Sequence, residues 1–251
     1  MAKWIDSHCH LFDPRFKGEC SFILEKAIES GVAHLVSTTT DPEEWLRAEE
    51  LALNPFVTIG FGLHPWKVTA DYEEQIELLE QKLIQNPRAI VGEVGLDLRS
   101  GRPERVLQLR ALELQWKLAQ KFNRPLSLHS LKAWGEWASI IDRWGEARMQ
   151  FHAFAASPEV ARGLAKRGAW FSVGRGLLRL SSEKAVAIWN ALPSDRRMVE
   201  SDAPDFSPYP DRLHTPADLP ELGAAIAHHL SISTEELCAE SKKNSERWLA
   251  V

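Results

Sequence analysis

Residues 3–11 read KWIDSHCHL, and the alternation within this stretch decides how the rest of the chain is read. Successive side chains of a β-strand point to opposite faces. Asp6, His8 and His10 therefore share one face, and Ile5, Cys9 and Leu11 share the other. His-x-His by itself leaves three readings open: half of a metal site, a cysteine between two bases, or an ordinary strand. The deciding question is whether further ligands appear, each at the end of its own strand.

They do, in the same phase. In VTIGFGLHP (57–65), Thr58, Gly60, Gly62 and His64 lie opposite Val57, Ile59, Phe61 and Leu63. In AIVGEVGLD (89–97), Glu93 shares a face with Val91 and Gly95. In PLSLHS (125–130), His129 lies with Ser127, and in MQFHAF (149–154), His152 lies with Gln150. In MVESDAP (198–204), Glu200 and Asp202 oppose Val199. AHLVSTT (33–39) and WFSVGRG (170–176) complete a set of eight strands. Amphipathic helical runs separate them, among them CSFILEKAIESG closing on Gly31, DPEEWLRAEELALN opening at Asp41-Pro42, ERVLQLRALELQWKLAQKF, and SPEVARGLAKRG opening at Ser157. These carry the capping and breaking residues that helices use at their ends. TPADLPELGAAIAHHL supplies an eighth helix and STEELCAESKKNSERWL one more.

Repeated βα units in a chain of 251 residues predict an α/β (β/α)8 TIM barrel with an extra C-terminal helix, one domain over 1–251. A doubly wound open sheet is the competitor, but no Gly-rich nucleotide-binding turn supports it. In a barrel, the C-terminal strand ends converge on one mouth, where such folds place their chemistry. His8, His10, Glu93, His129, His152 and Asp202 would meet there. One strand-end histidine is ordinarily a hydrogen-bonded structural group. Six ionisable groups from five strands, all in phase, would be costly to bury uncompensated, so they point to a metal site. Cys9 faces the helices as a small buried residue, which argues against a Cys–His nucleophile. Asp6 is either an interior hydrogen-bonding group or a partner for a ligating histidine.

Hydrophobic residues make up 44% and charged residues 26%, with net charge −5 and pI near 6.0. This balance fits a globular protein with a sizeable core and excludes a basic protein that coats nucleic acid. Local cations at the mouth, Arg99, Arg102, Arg105, Arg175 and Arg179, could still meet a phosphate chain. Three scattered cysteines, no secretory leader and no membrane-length apolar run predict a cytoplasmic protein with reduced thiols and no membrane association. No obligate protein partner is indicated.

With DSHCHL, GLHP, GEVGLD, LHS, FHAF and ESDAP in hand, the chain resembles the TatD family of metal-dependent hydrolases, amidohydrolase-like barrels, over essentially its whole length. The tail KKNSERWL resembles the family's closing helix. The resemblance implies two divalent ions, with His8, His10 and Asp202 on one, His129 and His152 on the other, and Glu93 shared. Mixed imidazole and carboxylate donors suit Zn²⁺, Mn²⁺, Fe²⁺ or Ni²⁺, with Mg²⁺ a harder alternative. The departures concern substrate: Leu131 follows His129-Ser130 where the family commonly has arginine, Ala153 follows His152 where cysteine or glycine is frequent, and Ser201 stands where threonine is usual. Phosphodiester hydrolysis of DNA is the activity implied, with Asp202 both ligating and accepting the proton of the attacking water. His64 is placed to touch a substrate phosphate, or simply to cap its strand before Pro65. A hydrolase of small esters, lactones, amides or phosphoesters, and a metal-binding protein without turnover, are the alternatives.

Overall fold

A computed structural model describes residues 3–250. Eight strands, β1 (Trp4–Cys9), β2 (Val32–Thr38), β3 (Val57–Phe61), β4 (Ile90–Asp97), β5 (Leu126–Leu131), β6 (Met149–Phe151), β7 (Trp170–Val173) and β8 (Arg197–Val199), form one parallel sheet in sequential order. The helices between them are α1 (Cys20–Glu29), α2 (Pro42–Ala48), α3 (Tyr72–Gln85), α4 (Arg105–Lys121), α5 (Trp137–Trp144), α6 (Pro158–Ala165), α7 (Arg175–Leu178) and α8 (Ser182–Ala191). After β8 come α9 (Leu219–Leu230) and α10 (Thr234–Leu249). Parallel neighbours need such crossovers, and the result is a (β/α)8 TIM barrel. Several helix starts follow the sequence signals. Asp41 accepts from the Glu44 N–H ahead of Pro42, Ser157 from that of Val160, and Ser233 from that of Glu236.

No ladder joins β8 to β1 among the described residues. Single hydrogen bonds close the seam. Ser7 Oγ donates to Val199 O (3.0 Å), Asp202 N to His8 O (3.0 Å) and His10 N to Ala203 O (2.8 Å).

Two details depart from strict alternation. A bulge interrupts β4 between Val91 and Val94. Val91 and Val94 both pack in the helix-facing core, while Glu93 turns to the mouth, so Val91 and Glu93 do not share a face. A bulge adds a residue to one strand and re-aims the side chains beyond it. WFSVGRG does not continue as strand either: β7 stops at Val173 and α7 begins at Arg175. Gly174, between them, lies where a Cβ would sit 3.1 Å from Glu200 O.

The helix-facing core is continuous and rich in large side chains, including Trp45, Trp116, Trp137, Phe151 and Phe171. Inside the barrel, near the N-terminal strand ends, Val36, Ile90, Trp170 and Met198 form a separate cluster with Trp248. Trp248 is fully buried and its indole N–H donates to Arg148 O. The added helix α10 therefore plugs the floor. No described helix is long and apolar enough to cross a membrane.

Candidate metal centre

Bare backbone brings the mouth together. A Cβ at Gly62, just past β3, would lie 2.6 Å from Gly92 C and 2.7 Å from Glu93 O. At Gly95 (φ +147°) it would overlap the His129 carbonyl oxygen. Glycine is the residue that tolerates such approaches. Asp202 (φ +53°) and Ala153 (φ +47°) both occupy the left-handed region. Asp enters it readily, whereas Ala153 stores strain beside a candidate ligand.

Two donor sets result. His8 Nε2 and His10 Nε2 are 3.2 Å apart. Glu93 Oε2 lies 3.4 and 3.3 Å from them, and Asp202 Oδ1 3.8 and 3.5 Å. Bonds of about 2.0–2.2 Å to one tetrahedral ion place ligand atoms about 3.3–3.6 Å apart, and the separations just given, 3.2 to 3.8 Å, lie close to that spacing. On the other side, Glu93 Oε1 lies 2.7 Å from His129 Nδ1, 2.8 Å from His152 Nε2 and 3.2 Å from His64 Nε2. His129 Nδ1 and His152 Nε2 are 3.4 Å apart. Glu93 thus offers one oxygen to each set. All six residues expected at the mouth meet there, and His64 meets them too; metal-holding groups can be built from all seven.

A hydroxyl holds one of these rings, and carboxylates stand behind two others. His8 Nδ1 is 2.9 Å from Ser127 Oγ. The outer nitrogens of His129 and His152 face Asp97 (3.8 Å) and Glu200 (3.9 Å), and neither finds a hydrogen-bond partner. Carboxylates behind ligating imidazoles fix their tautomer and orientation. Asp97 is itself pinned, accepting from Trp66 Nε1 (2.5 Å) and from Arg99 Nε and Nη2 (3.0 and 2.7 Å). Glu200 accepts from Ala153 N (2.6 Å) and from Ser172 Oγ. Asp6 serves Ser201 rather than a ligand ring, accepting from its N–H (2.9 Å) and hydroxyl (2.5 Å). His214, buried between Ser201 O (3.1 Å) and Asp218 Oδ2 (3.2 Å), completes the clamp on the residue before Asp202. His214 lies in the Pro-rich stretch after β8, where no strand or helix period marks an inward-facing side chain.

The charges are arranged to stay. Burial would push the Glu93 carboxyl up, but the imidazoles of His152 and His64 and hydrogen bonds from His129 hold it well below the usual range. Asp202 is likewise held low against burial, through His10, His152 and His8. Burial, with His152 alongside, pushes His8 down to about 3. His10 resists burial and rises to about 10 because Asp202 and Glu93 face it. Glu200, buried beside Asp202, is pushed up to about 8.

The centre opens into a cleft of about 510 Å³. Of the five arginines expected at the mouth, Arg99 lines it. Arg105 is exposed and tied to Glu136, and Arg179 stacks 4.8 Å over Phe206. Arg15, Arg47 and Lys67 line the cleft without having been anticipated. Two of these are neutralised: Arg15 pairs with Asp13 and Asp205, and Lys67 with Asp41.

Imidazoles and carboxylates gathered at the C-terminal mouth of a TIM barrel define a metal-dependent hydrolase. The sequence profile of the family described as TatD related DNase matches residues 5–250, and the chain belongs to that family. It is 30% identical over 211 residues to YjjV of Escherichia coli (strain K12), an uncharacterized metal-dependent hydrolase, covering 82% of this chain and 81% of that protein. Human deoxyribonuclease TATDN3 is 26% identical over 255 residues, covering 96% and 92%. The 3'-5' ssDNA/RNA exonuclease TatD of Pantoea vagans (strain C9-1) is 26% identical over 254 residues, covering 96% of each. The crystal structure of Escherichia coli YjjV superposes with a TM-score of 0.88 at 27% identity, covering 98% of this chain and 97% of that one.

Proposed function

We propose that this chain is a phosphodiesterase that hydrolyses DNA with two divalent ions at the barrel mouth. The observation that carries the reading is Glu93, whose two oxygens face separate donor sets. His8, His10 and Asp202 would hold one ion, His129 and His152 the other, and Glu93 would serve both. Zn²⁺, Mn²⁺, Fe²⁺ and Ni²⁺ suit such donors better than Mg²⁺. Ions bound there would acidify water and neutralise charge on the phosphoryl group.

The remaining steps belong to the chain's own residues. Asp202, kept ionised by its imidazole neighbours, accepts the proton of the attacking water and passes it outward. His64, its Nε2 beside Glu93 Oε1 and its ring lining the cleft, contacts the scissile phosphate. Ser201, clamped by Asp6 and His214, keeps the Asp202 backbone in place. The free thiols of Cys9, Cys20 and Cys238 suit a reducing, cytoplasmic setting, and the chain works as one domain.

One observation favours a small-molecule ester instead: apolar Leu131 lines the cleft, and most cleft cations are already paired. The test separates the readings. Protein stripped by chelation is reloaded with each ion, bound metal is quantified, and single-stranded DNA, duplex DNA, RNA and small esters are assayed. About two ions per chain and turnover on DNA are expected. Turnover on small esters alone overturns the nuclease reading, and absence of metal uptake overturns the centre itself.

A further inference from the structure

Beside the metal cleft lies a second groove of about 420 Å³, lined by Leu98, Arg99, Ser100, Arg102 and Lys132. Arg99 lines both spaces, which adjoin at its side chain. The chemistry of the two walls differs. Across the cleft, Arg15 and Lys67 are cancelled by Asp13, Asp205 and Asp41, and Glu43 and Glu44 line the same space. In the groove, Arg99 and Arg102 share one carboxylate, Asp97, which is fully buried. Lys132 has no carboxylate within ion-pair distance among the described residues.

The cations are also held in place. Arg99 turns Nε and Nη2 to Asp97. Arg102 turns Nε to the same carboxylate (3.3 Å) and lays its guanidinium 4.1 Å over the Trp66 ring. The indole is fixed in turn by its bond to Asp97 and by edge contacts with His64 and His129. Guanidinium groups fixed by stacking and by a buried acid lose little freedom when they bind an anion, and their outer N–H groups present the fork that fits phosphate.

We propose that this groove is a second phosphate subsite, in which Arg102 and Lys132 hold the phosphodiester neighbouring the scissile one in a polynucleotide. Leu131 lines the cleft and Lys132 the groove, so the first cation after His129 on this strand path faces the groove. The inference rests on the nuclease reading, and it makes recognition depend on substrate length: a small diester fills the cleft alone, whereas an oligonucleotide also reaches the groove.

The experiment uses the full chain in two states. With metal removed, binding of a fluorescently labelled eight-residue oligothymidylate is followed by anisotropy across a salt series. Metal-loaded protein is then assayed on the same oligonucleotide and on bis(p-nitrophenyl) phosphate. Arg102→Gln with Lys132→Gln is expected to weaken oligonucleotide binding about tenfold and to flatten the salt slope by about 1.4, at about 0.7 per lost contact. KM for the oligonucleotide should rise while kcat holds, and Lys132→Arg alone should retain wild-type binding. Unchanged affinity and slope in the double variant, with DNA still cleaved, overturn the subsite and leave the nuclease reading intact. Wild-type protein that hydrolyses the small diester but neither binds nor cleaves the oligonucleotide overturns both.

Discussion

The two ends of the barrel are built on opposite principles. At the floor, Val36, Ile90, Trp170 and Met198 are sealed by Trp248, a plug whose ring packs on apolar side chains and makes one indole hydrogen bond. At the mouth, four buried histidines and two buried carboxylates crowd within hydrogen-bonding reach, an arrangement that burial opposes. Floor and helix-facing core stabilise the fold, and the mouth draws on that stability to keep ionisable groups poised. Shape therefore matters most below, and charge above.

This division can be broken from either side. The largest effect is expected at the mouth. Asp202→Asn should lower kcat about 10³-fold, the scale of a lost general base, with a small fall in melting temperature because His10 loses one of the two carboxylates that face it. Steady-state kinetics with a parallel thermal melt checks both halves. Trp248→Ala should do the reverse, costing about 3–5 kcal/mol of stability with metal content and kcat/KM unchanged, as read from denaturant unfolding and turnover below the transition.

A subtler test concerns His34, on β2 and remote from the metal cleft. Burial, with Arg88 alongside, pushes its imidazole down to about 4, and its Nε2 pairs with Thr58 Oγ1 (2.9 Å). The unfolded chain takes up this proton near pH 6.5 and the folded one does not until about pH 4. Its stabilising contribution is thus fully present above pH 6.5 and erodes as pH falls towards 4, by up to about 1.4 kcal/mol per unit. His34→Gln should flatten that part of the stability profile. The smallest effect belongs to Arg105→Ala: its guanidinium is exposed and bound to Glu136, so neither KM for DNA nor the melting temperature should move measurably.

Much of this was legible in the sequence because strand period and ligand chemistry coincide. His8 and His10 share a face by alternation alone, and His129 follows the same rule within β5, so pattern alone places these three side chains at the mouth. Glu93 does lie at the mouth, but not for the reason alternation offers. The bulge that turns it inward depends on Gly92 and Gly95 fitting against Ser127 and His129, which is a tertiary fact. Strands β6, β7 and β8 proved short because the residues that carry chemistry lie just beyond the ladder, where turn geometry replaces period. Asp6 acts through Ser201, at the other end of the chain, and Asp97 meets Trp66 and His129 from separate strand ends, so no local pattern reveals these partners. The rim was the least legible: whether an arginine is free or cancelled depends on which carboxylate the fold sets beside it.

The seam between the first and last strands carries a consequence for biosynthesis. The peptide after β8 both closes the barrel, through its bonds to His8 and His10, and carries Asp202. A chain emerging from the ribosome exposes its His-x-His pair first, yet the acid that completes the site arrives only after most of the polypeptide has been made, and the floor plug later still. The seam and the donor cluster at the mouth are thus completed by the same late segment, so closing the barrel and assembling the cluster are one event in folding.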